Sequence, residues 1–299
     1  MKNIAASVRA RLANIGQAEG MALDFMIERF AIGRLLWRIS QSPHADRFVL
    51  KGAQLFAMWE QNPHRPTRDI DFLSFGDPAE KAMESLFIEL LAAPADPEDG
   101  MIWGKPSVGQ IRDDQSYGGI RIAVPVMLAG ARVRIQIDIG FGDTVTPGTE
   151  EQTWHELLGY PAAKINTYPP ETVIAEKLEA AVQLDIANTR MKDFYDLDWL
   201  AAHRSFDFEI LHRAITRTFT NRQTELPSEA PFVLTEAFSL DSGKQTQWDV
   251  FLRKNRLAAD PLDQVIGRLR DFLLPVILEM PSPVQKIWSV YTGWTQNNL

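Results

Sequence analysis

Two neighbouring stretches of alternating apolar and polar residues constrain the fold of this chain most strongly. The stretches GIRIAVPVML and ARVRIQIDIGF, residues 119–128 and 131–141, have the two-residue period of half-buried strands, and only Ala129 and Gly130 separate them. A two-residue connection between such strands is typical of an antiparallel hairpin. The sequence therefore predicts a β-sheet with one buried face and one polar face.

Helical patterns flank this hairpin on both sides. Residues 5–40 carry a broad apolar stripe and are predicted to form two helices that break near Gly20. After the Tyr168-Pro169-Pro170 tripeptide the pattern becomes helical again and stays mainly helical. We therefore predict an α+β fold, with a mixed sheet flanked by helices in residues 1–167 and a mainly helical C-terminal domain in residues 168–299 that completes the active site.

Composition limits the possible classes of protein. The 299 residues include no cysteine, which excludes disulfide frameworks and thiolate zinc sites. The first twenty residues lack the apolar core of a signal peptide, and no stretch reaches the ~20 apolar residues of a membrane span, so we expect a cytoplasmic protein without membrane contact. The net charge of -8 argues against general nucleic-acid binding, and any RNA contact would need a local basic patch.

Three aspartates are spaced to share one face of the predicted sheet. Asp69 and Asp71 alternate with apolar residues in a short strand, and Asp138 lies on the polar side of the second hairpin strand. Carboxylates about 5 Å apart repel by roughly 3 kcal/mol per pair at an effective dielectric near 20, and a divalent cation removes that repulsion. If the two strands are neighbours, Asp138 is the third metal ligand, although Asp143 lies close by in the same block.

An Asp-x-Asp pair alone is more often a solvated strand face or a turn cap than a catalytic site. Here its sequence context includes a glycine break upstream and basic and hydroxyl residues just before the strand, which favours metal-dependent phosphoryl or nucleotidyl transfer. The residues of this context are Lys51, Gly52, Ala53, Arg65, Thr67 and Arg68.

Several long blocks of the sequence resemble the AbiEii/AbiGii abortive-infection toxin family, which belongs to the polymerase-beta-like nucleotidyltransferase superfamily and includes the MenT-like toxins. The blocks are FVLKGAQLF, HRPTRDIDFL, QIDIGFGD, YPPETVIAEKLEAAV and RMKDFYDL, and they run in order over nearly the whole chain. The resemblance implies a nucleotidyltransferase-type sheet, Mg²⁺ or Mn²⁺ as cofactor, and a nucleoside triphosphate as substrate. It also implies a toxin that blocks translation by modifying the 3′ end of tRNA, encoded beside an antitoxin that is often a winged-helix protein.

The resemblance also assigns roles to individual residues. The turn at Gly52 and Ala53 would cradle phosphates, but family members usually have Ser or Gly after the glycine, so Ala53 lacks a hydroxyl contact. Backbone N–H groups of such a turn can still bind phosphate. The catalytic residues by motif are Asp69, Asp71, Lys177 and Asp193. The candidate nucleotide-binding residues that go with them are Lys51, Gly52, Ala53, Arg65, Thr67, Arg68 and Asp196.

Lys177 lies within the apolar stripe of the helix that begins near Glu171. By spacing alone, such a lysine either extends to solvent or pairs with an acid. The family motif instead implies that Lys177 binds the triphosphate, with Asp193 orienting it or contacting the nucleotide and Asp196 on the same helical face. Asp193 could also serve as the N-cap of its helix.

Arg213, Arg217 and Arg222 lie in a segment without acidic residues, and this segment is a candidate RNA-contact surface. Residues 251–256 are a second, weaker candidate, and either segment could equally be a solvated helix face. Two other functions stay open at this stage: a catalytically lapsed module that binds nucleotide or antitoxin, and a nucleotidyltransferase that modifies a protein or small molecule.

Overall fold

The computed structural model describes residues 3–60, 65, 67–111, 118–279, 286–290 and 292–296. The chain divides into two compact units. Unit 1 comprises Met1–Gly142 and Thr149–Tyr168, and unit 2 comprises Asp143–Gly148 and Pro169–Leu299.

A mixed sheet forms the centre of unit 1. In the described residues, its strands are β1 (Phe48–Lys51), β2 (Asp69–Ser74), β3 (Ile102–Trp103), β4 (Ser107–Ile111), β5 (Gly119–Leu128), β6 (Ala131–Phe141), β7 (Glu150–Thr153) and β8 (Lys164–Thr167). They follow the order β3-β5-β6-β2-β1-β8-β7, and β4 pairs with β5 beside β3. The pairs β2–β6 and β1–β8 are parallel, whereas the other pairs are antiparallel.

The predicted hairpin is confirmed as β5 and β6. Ala129 and Gly130 both have positive φ, which is the backbone conformation that a two-residue hairpin turn of type I′ requires. On β6, Ile135, Ile137 and Ile139 are buried while the intervening residues are exposed or half-buried. One face of the sheet is therefore apolar and the other is polar, as the alternation predicts.

Helices of unit 1 pack on the sheet, and the second helix, α2 (Leu23–Ser40), contacts both β6 and β8. The predicted break near Gly20 is also confirmed, because Gly20 ends the first helix in a left-handed conformation with φ of 67°. The helices of this unit are α1 (Ile4–Glu19), α2 (Leu23–Ser40), α3 (Gln54–Trp59) and α4 (Glu80–Ala92).

Unit 2 is mainly helical, as predicted. Its described residues also include a small antiparallel sheet that the sequence pattern did not indicate, with the strands β9 (Phe206–Asp207), β10 (Lys286–Ser289) and β11 (Gly293–Gln296) in the order β11-β10-β9. The helices are α5 (Pro170–Leu184), α6 (Met191–His203), α7 (Phe208–Asn221), α8 (Glu236–Ser239), α9 (Ser242–Asn255) and α10 (Leu262–Ile277).

The α+β class with a mixed, helix-flanked sheet and a mainly helical C-terminal part is thus confirmed. None of the helices in the described part of the chain is long and apolar enough to cross a bilayer.

Candidate active site

Two carboxylates lie on the polar face of β2. The intervening Ile70 and the following Phe72 are fully buried, so Asp69 and Asp71 project from the opposite face. Asp69 is exposed and Asp71 is half-buried. The alternation therefore places both carboxylates where a ligand from solvent can reach them.

A third carboxylate lies in the adjacent strand. β2 and β6 are parallel neighbours, and their register places Asp71 opposite Asp138. The alternative candidate, Asp143, belongs to unit 2 and accepts hydrogen bonds from Arg222 at 3.0 and 3.3 Å. Of the two candidates for the third metal ligand, Asp138 and Asp143, Asp138 is therefore the one that lies beside Asp71.

Asp138 also has a partner that the sequence reasoning missed. Arg121 on β5 donates from Nε to Oδ1 at 2.8 Å and from Nη2 to Oδ2 at 2.7 Å, a bidentate pair. The register places Lys51, Asp71, Asp138 and Arg121 in one row across four strands, with two anions between two cations. The pairing of Arg121 with Asp138 could have been predicted from the hairpin, because counting residues back from its two-residue turn places residue 121 opposite residue 138.

The glycine turn lies against this row. Gly52 has a φ of 74°, and a β-carbon added to it would overlap the carboxylate of Asp71. Ala53 precedes α3 in a helical conformation. The side chain of Gln54, which is 4% exposed, donates from Nε2 to the carbonyl oxygen of Asp69 at 3.2 Å. Gln54 is a second residue that sequence reasoning missed, and its contact fixes the turn to the start of β2.

The basic and hydroxyl residues before β2 lie at the same end of that strand. Thr67 is half-buried, and the exposed Arg68 donates to Glu28 on α2 at 3.3 Å. Arg65 is half-buried, whereas residues 61–64 and 66 of this block lie outside the described part of the chain.

The acidic residues of unit 1 suit a hard metal ion only in part. In the ranges that the structure describes, no three or more His, Asp or Glu side chains are grouped closely enough to hold a metal ion. Magnesium, however, binds through one or two carboxylates completed by water and substrate phosphates. Asp69 and Asp71 fit that requirement, whereas Asp138 is held by Arg121.

In unit 2, Lys177 lies between two buried aspartates. Its ammonium is 2.7 Å from Asp193 and 2.8 Å from Asp196, whose side chains are 2% and 0% exposed. Arg190 Nε lies 2.6 Å from the other oxygen of Asp193. Burial alone would raise the pKa of Asp193, but attraction to Lys177 and Arg190 outweighs it and lowers that pKa. Lys177 is thus paired with acids rather than extended into solvent.

Asp193 is not the N-cap of its helix, contrary to one of the alternatives above. α6 begins at Met191 with Arg190 at the N-cap position and no side-chain capping bond. Asp193 lies in the first turn, where its carboxylate binds Lys177 and contacts Arg190 instead of free backbone N–H groups.

Arg222 does not belong to an exposed basic surface, so this part of the prediction was wrong. It lies within 3.1 Å of Asp143, Glu176 and Glu179, and its side chain is 17% exposed. Burial would lower the pKa of Arg222, but these acids raise it. The error arose because the acids come from α5 and from the 143–148 segment, not from the helix that precedes Arg222.

The sequence as a whole identifies the class of protein. Residues 34–270 match the family model described as "Nucleotidyl transferase AbiEii toxin, Type IV TA system". The chain is therefore a nucleotidyltransferase. It belongs to the AbiEii toxin family of type IV toxin–antitoxin systems, and membership implies an antitoxin partner.

Solved structures from Helicobacter pylori are similar over most of the chain. JHP933 is 18% identical with a TM-score of 0.45, and the match covers 83% of this chain and 87% of JHP933. A second H. pylori protein, described provisionally as a nucleotidyltransferase, is 16% identical with a TM-score of 0.41 and coverages of 83% and 89%. No curated protein matches the chain.

Proposed function

We propose that this nucleotidyltransferase moves a nucleoside monophosphate from a nucleoside triphosphate to the 3′ end of tRNA and thereby blocks translation as a toxin. The observation that carries the proposal is the arrangement on the sheet of unit 1. Asp69 and Asp71 share one face, Asp138 is in register with Asp71, and the glycine turn lies directly against the Asp71 carboxylate.

In this proposal Asp69 and Asp71 hold Mg²⁺ or Mn²⁺, and Asp138 is the third candidate ligand. A bound divalent ion would neutralise charge on the phosphates and make the acceptor hydroxyl more nucleophilic. Arg121 holds both oxygens of Asp138, so Arg121 controls whether this third carboxylate can reach a metal.

The triphosphate is assigned to the backbone N–H groups around Gly52 and Ala53. Ala53 supplies no hydroxyl, so binding depends on the backbone of the turn and on nearby cations. From the motif resemblance we also assign Lys177 to the triphosphate, and Asp193 and Asp196 hold its ammonium in one position. The cationic and hydroxyl residues assigned to the nucleotide in unit 1 are Lys51, Arg65, Thr67 and Arg68.

The reaction is an in-line displacement at the α-phosphorus. The 3′-oxygen of the acceptor forms a new bond to this phosphorus, and its proton is released to solvent. The bond from the α-phosphorus to the bridging oxygen breaks, and pyrophosphate leaves with the electron pair. The product carries one additional nucleotide.

Incubation with each α-labelled nucleoside triphosphate and total tRNA tests the proposal. We expect label on tRNA with the wild type and a loss on the order of 100-fold or more in Asp69→Ala and Asp71→Ala, since metal stabilisation of such transition states is worth several kcal/mol. Asp263→Ala removes an exposed acid from α10 and should retain full activity.

Other outcomes would contradict the proposal. An absence of label transfer with every nucleotide, or equal transfer by the wild type and Asp69→Ala, would exclude this chemistry at Asp69 and Asp71. Label on a protein or small molecule, identified by mass spectrometry, would retain the transfer but replace tRNA as the acceptor.

A further inference from the structure

Two arginines continue the polar face of β6 beyond Asp138. Arg132 and Arg134 alternate with buried or half-buried residues and therefore share the face of Gln136 and Asp138. At about 3.3 Å per residue, Arg134 lies roughly 13 Å and Arg132 roughly 20 Å along the strand from Asp138. The strand thus carries a line of positive charge that leads to the candidate catalytic carboxylates.

These two guanidinium groups are available to a ligand. Both side chains are exposed, and neither forms an ion pair or hydrogen bond with any residue that the structure describes. Other arginines on this side of unit 1 are engaged, since Arg121 binds Asp138 and Arg68 binds Glu28. In a chain with a net charge of -8, two adjacent unpaired arginines form a local basic patch of the kind that phosphate binding requires.

A cavity of about 460 Å³ lies beside the two arginines. Its lining includes Arg132, Arg134, Arg68, Glu28 and Asp24. Glu28 is 8% exposed, and its Oε2 atom has no hydrogen-bond partner among the described residues. Burial raises the pKa of Glu28, although Arg68 lowers it. The cavity therefore combines cations suited to phosphate with a buried carboxyl group suited to a hydroxyl or amino group.

We infer that Arg132, Arg134 and this cavity bind the acceptor RNA strand and direct its 3′ end along β6 toward Asp138 and Asp71. Guanidinium groups bind phosphate oxygens in a bidentate manner. Their separation of about 7 Å along the strand lets each bind a different phosphate. Glu28 then accepts a hydrogen bond from a ribose hydroxyl or a base amino group. The inference rests on the proposed function, because it concerns the acceptor of that reaction.

A second exposed pair provides a matched control. Arg9 on α1 and Lys81 on α4 are exposed residues of unit 1 that have no assigned role, and their side chains form no ion pair within the described residues. Replacing either pair with alanine changes the net charge by the same amount. A difference between the two double variants therefore reports position rather than total charge.

Fluorescence anisotropy with a 5′-fluorescein single-stranded RNA, without nucleotide or divalent metal, tests the inference. We expect Arg132→Ala/Arg134→Ala to weaken binding roughly tenfold and to reduce the slope of log K against log salt by about 1.4, which corresponds to two phosphates of a single strand. Arg9→Ala/Lys81→Ala should bind as the wild type does. Arg132→Lys/Arg134→Lys should keep the salt dependence because it keeps both charges.

Three results would overturn the inference. The first is that the wild type does not bind RNA. The second is that the two alanine double variants lose RNA affinity equally. The third is that Arg132→Ala/Arg134→Ala loses as much triphosphate affinity, measured by calorimetry, as RNA affinity. Thermal unfolding of each variant checks that it is folded, which these exposed positions favour.

Failure of this inference is distinguishable from failure of the proposed function. RNA binding that depends on Arg132 and Arg134 without any label transfer would retain the inference and remove the reaction. Label transfer to tRNA that both alanine double variants support equally would retain the reaction and remove the inference.

Discussion

Gly52 lies directly against the carboxylate of Asp71, at a distance that leaves no room for a β-carbon on residue 52. Gly52 also has a φ of 74°, a conformation that residues with side chains rarely adopt. Two separate constraints thus require glycine at this position. The close approach joins the turn assigned to phosphate with the strand assigned to metal.

Gly52→Ala should abolish nucleotidyl transfer. The substitution costs about 1–2 kcal/mol from the left-handed backbone alone, and the new methyl group must also displace Asp71. Gly130→Ala is the matched control, since Gly130 has a φ of 84° but open space around its α-carbon. Thermal unfolding should show lower stability in both variants, while the transfer assay should show loss of activity in Gly52→Ala alone. Full activity in Gly52→Ala would contradict the assigned role of the turn.

The local pattern of the sequence predicted those parts of the fold whose partners are close in sequence. The β5–β6 hairpin could be predicted because the alternation sets which face is buried and the two-residue turn sets the register. The parallel pairing of β2 with β6 could be considered but not predicted from the sequence. About 60 residues separate the two strands, and local periodicity does not indicate which distant strands pair. The β9–β11 sheet was missed because its strands are only two to four residues long and because about 80 residues separate β9 from β10.

The same distinction holds for the candidate site. The shared face of Asp69 and Asp71 follows from the two-residue period, and Arg121 could have been found from the hairpin register. The partners of Arg222 could not be found in this way, because they come from residues 43 to 79 positions away. Neither could the pairing of Lys177 with both Asp193 and Asp196, which depends on how two helices pack.

Lys177→Met should destabilise the protein by roughly 3–5 kcal/mol, because it leaves Asp193 and Asp196 buried without their lysine partner. The triple variant Lys177→Met/Asp193→Asn/Asp196→Asn removes these charges and should recover much of the loss. Denaturant unfolding measures both effects. Equal stability of Lys177→Met and the wild type would contradict the buried ion pairs.

Asp193→Asn should change how the free energy of unfolding depends on pH. Because the folded-state pKa of Asp193 is lowered, its ionised form contributes stability above the ordinary value of 3.8, and that contribution is lost as pH falls through the folded pKa. The variant lacks this contribution, so the stability difference between wild type and variant should shrink below about pH 4. Thermal unfolding between pH 2.5 and 7 measures this difference, and a constant difference would contradict the assignment.

Arg222→Ala should destabilise the protein by roughly 3–5 kcal/mol, since it leaves three acids without their shared cation. Arg217→Ala, at an exposed position five residues earlier, should change stability by no more than about 0.5 kcal/mol. Denaturant unfolding of the two variants provides the comparison. Similar small effects in both would mean that Arg222 is a surface residue after all.

Glu156→Gln should remove a loss of stability that the wild type undergoes as pH rises. Burial raises the pKa of Glu156 from its ordinary value of 4.5 to about 7, although Arg34 lowers it. Between these two values the folded protein keeps a proton that the unfolded chain releases, so the free energy of unfolding falls as pH increases. Glutamine does not titrate, and the stability of Glu156→Gln relative to wild type should therefore rise from pH 4.5 to 7 and stay constant above.

Thermal unfolding across this range measures the difference in stability between Glu156→Gln and the wild type. Glu151→Gln, at an exposed position, is the control and should follow the wild type. Parallel curves for Glu156→Gln and the wild type would show that Glu156 titrates at its ordinary pKa.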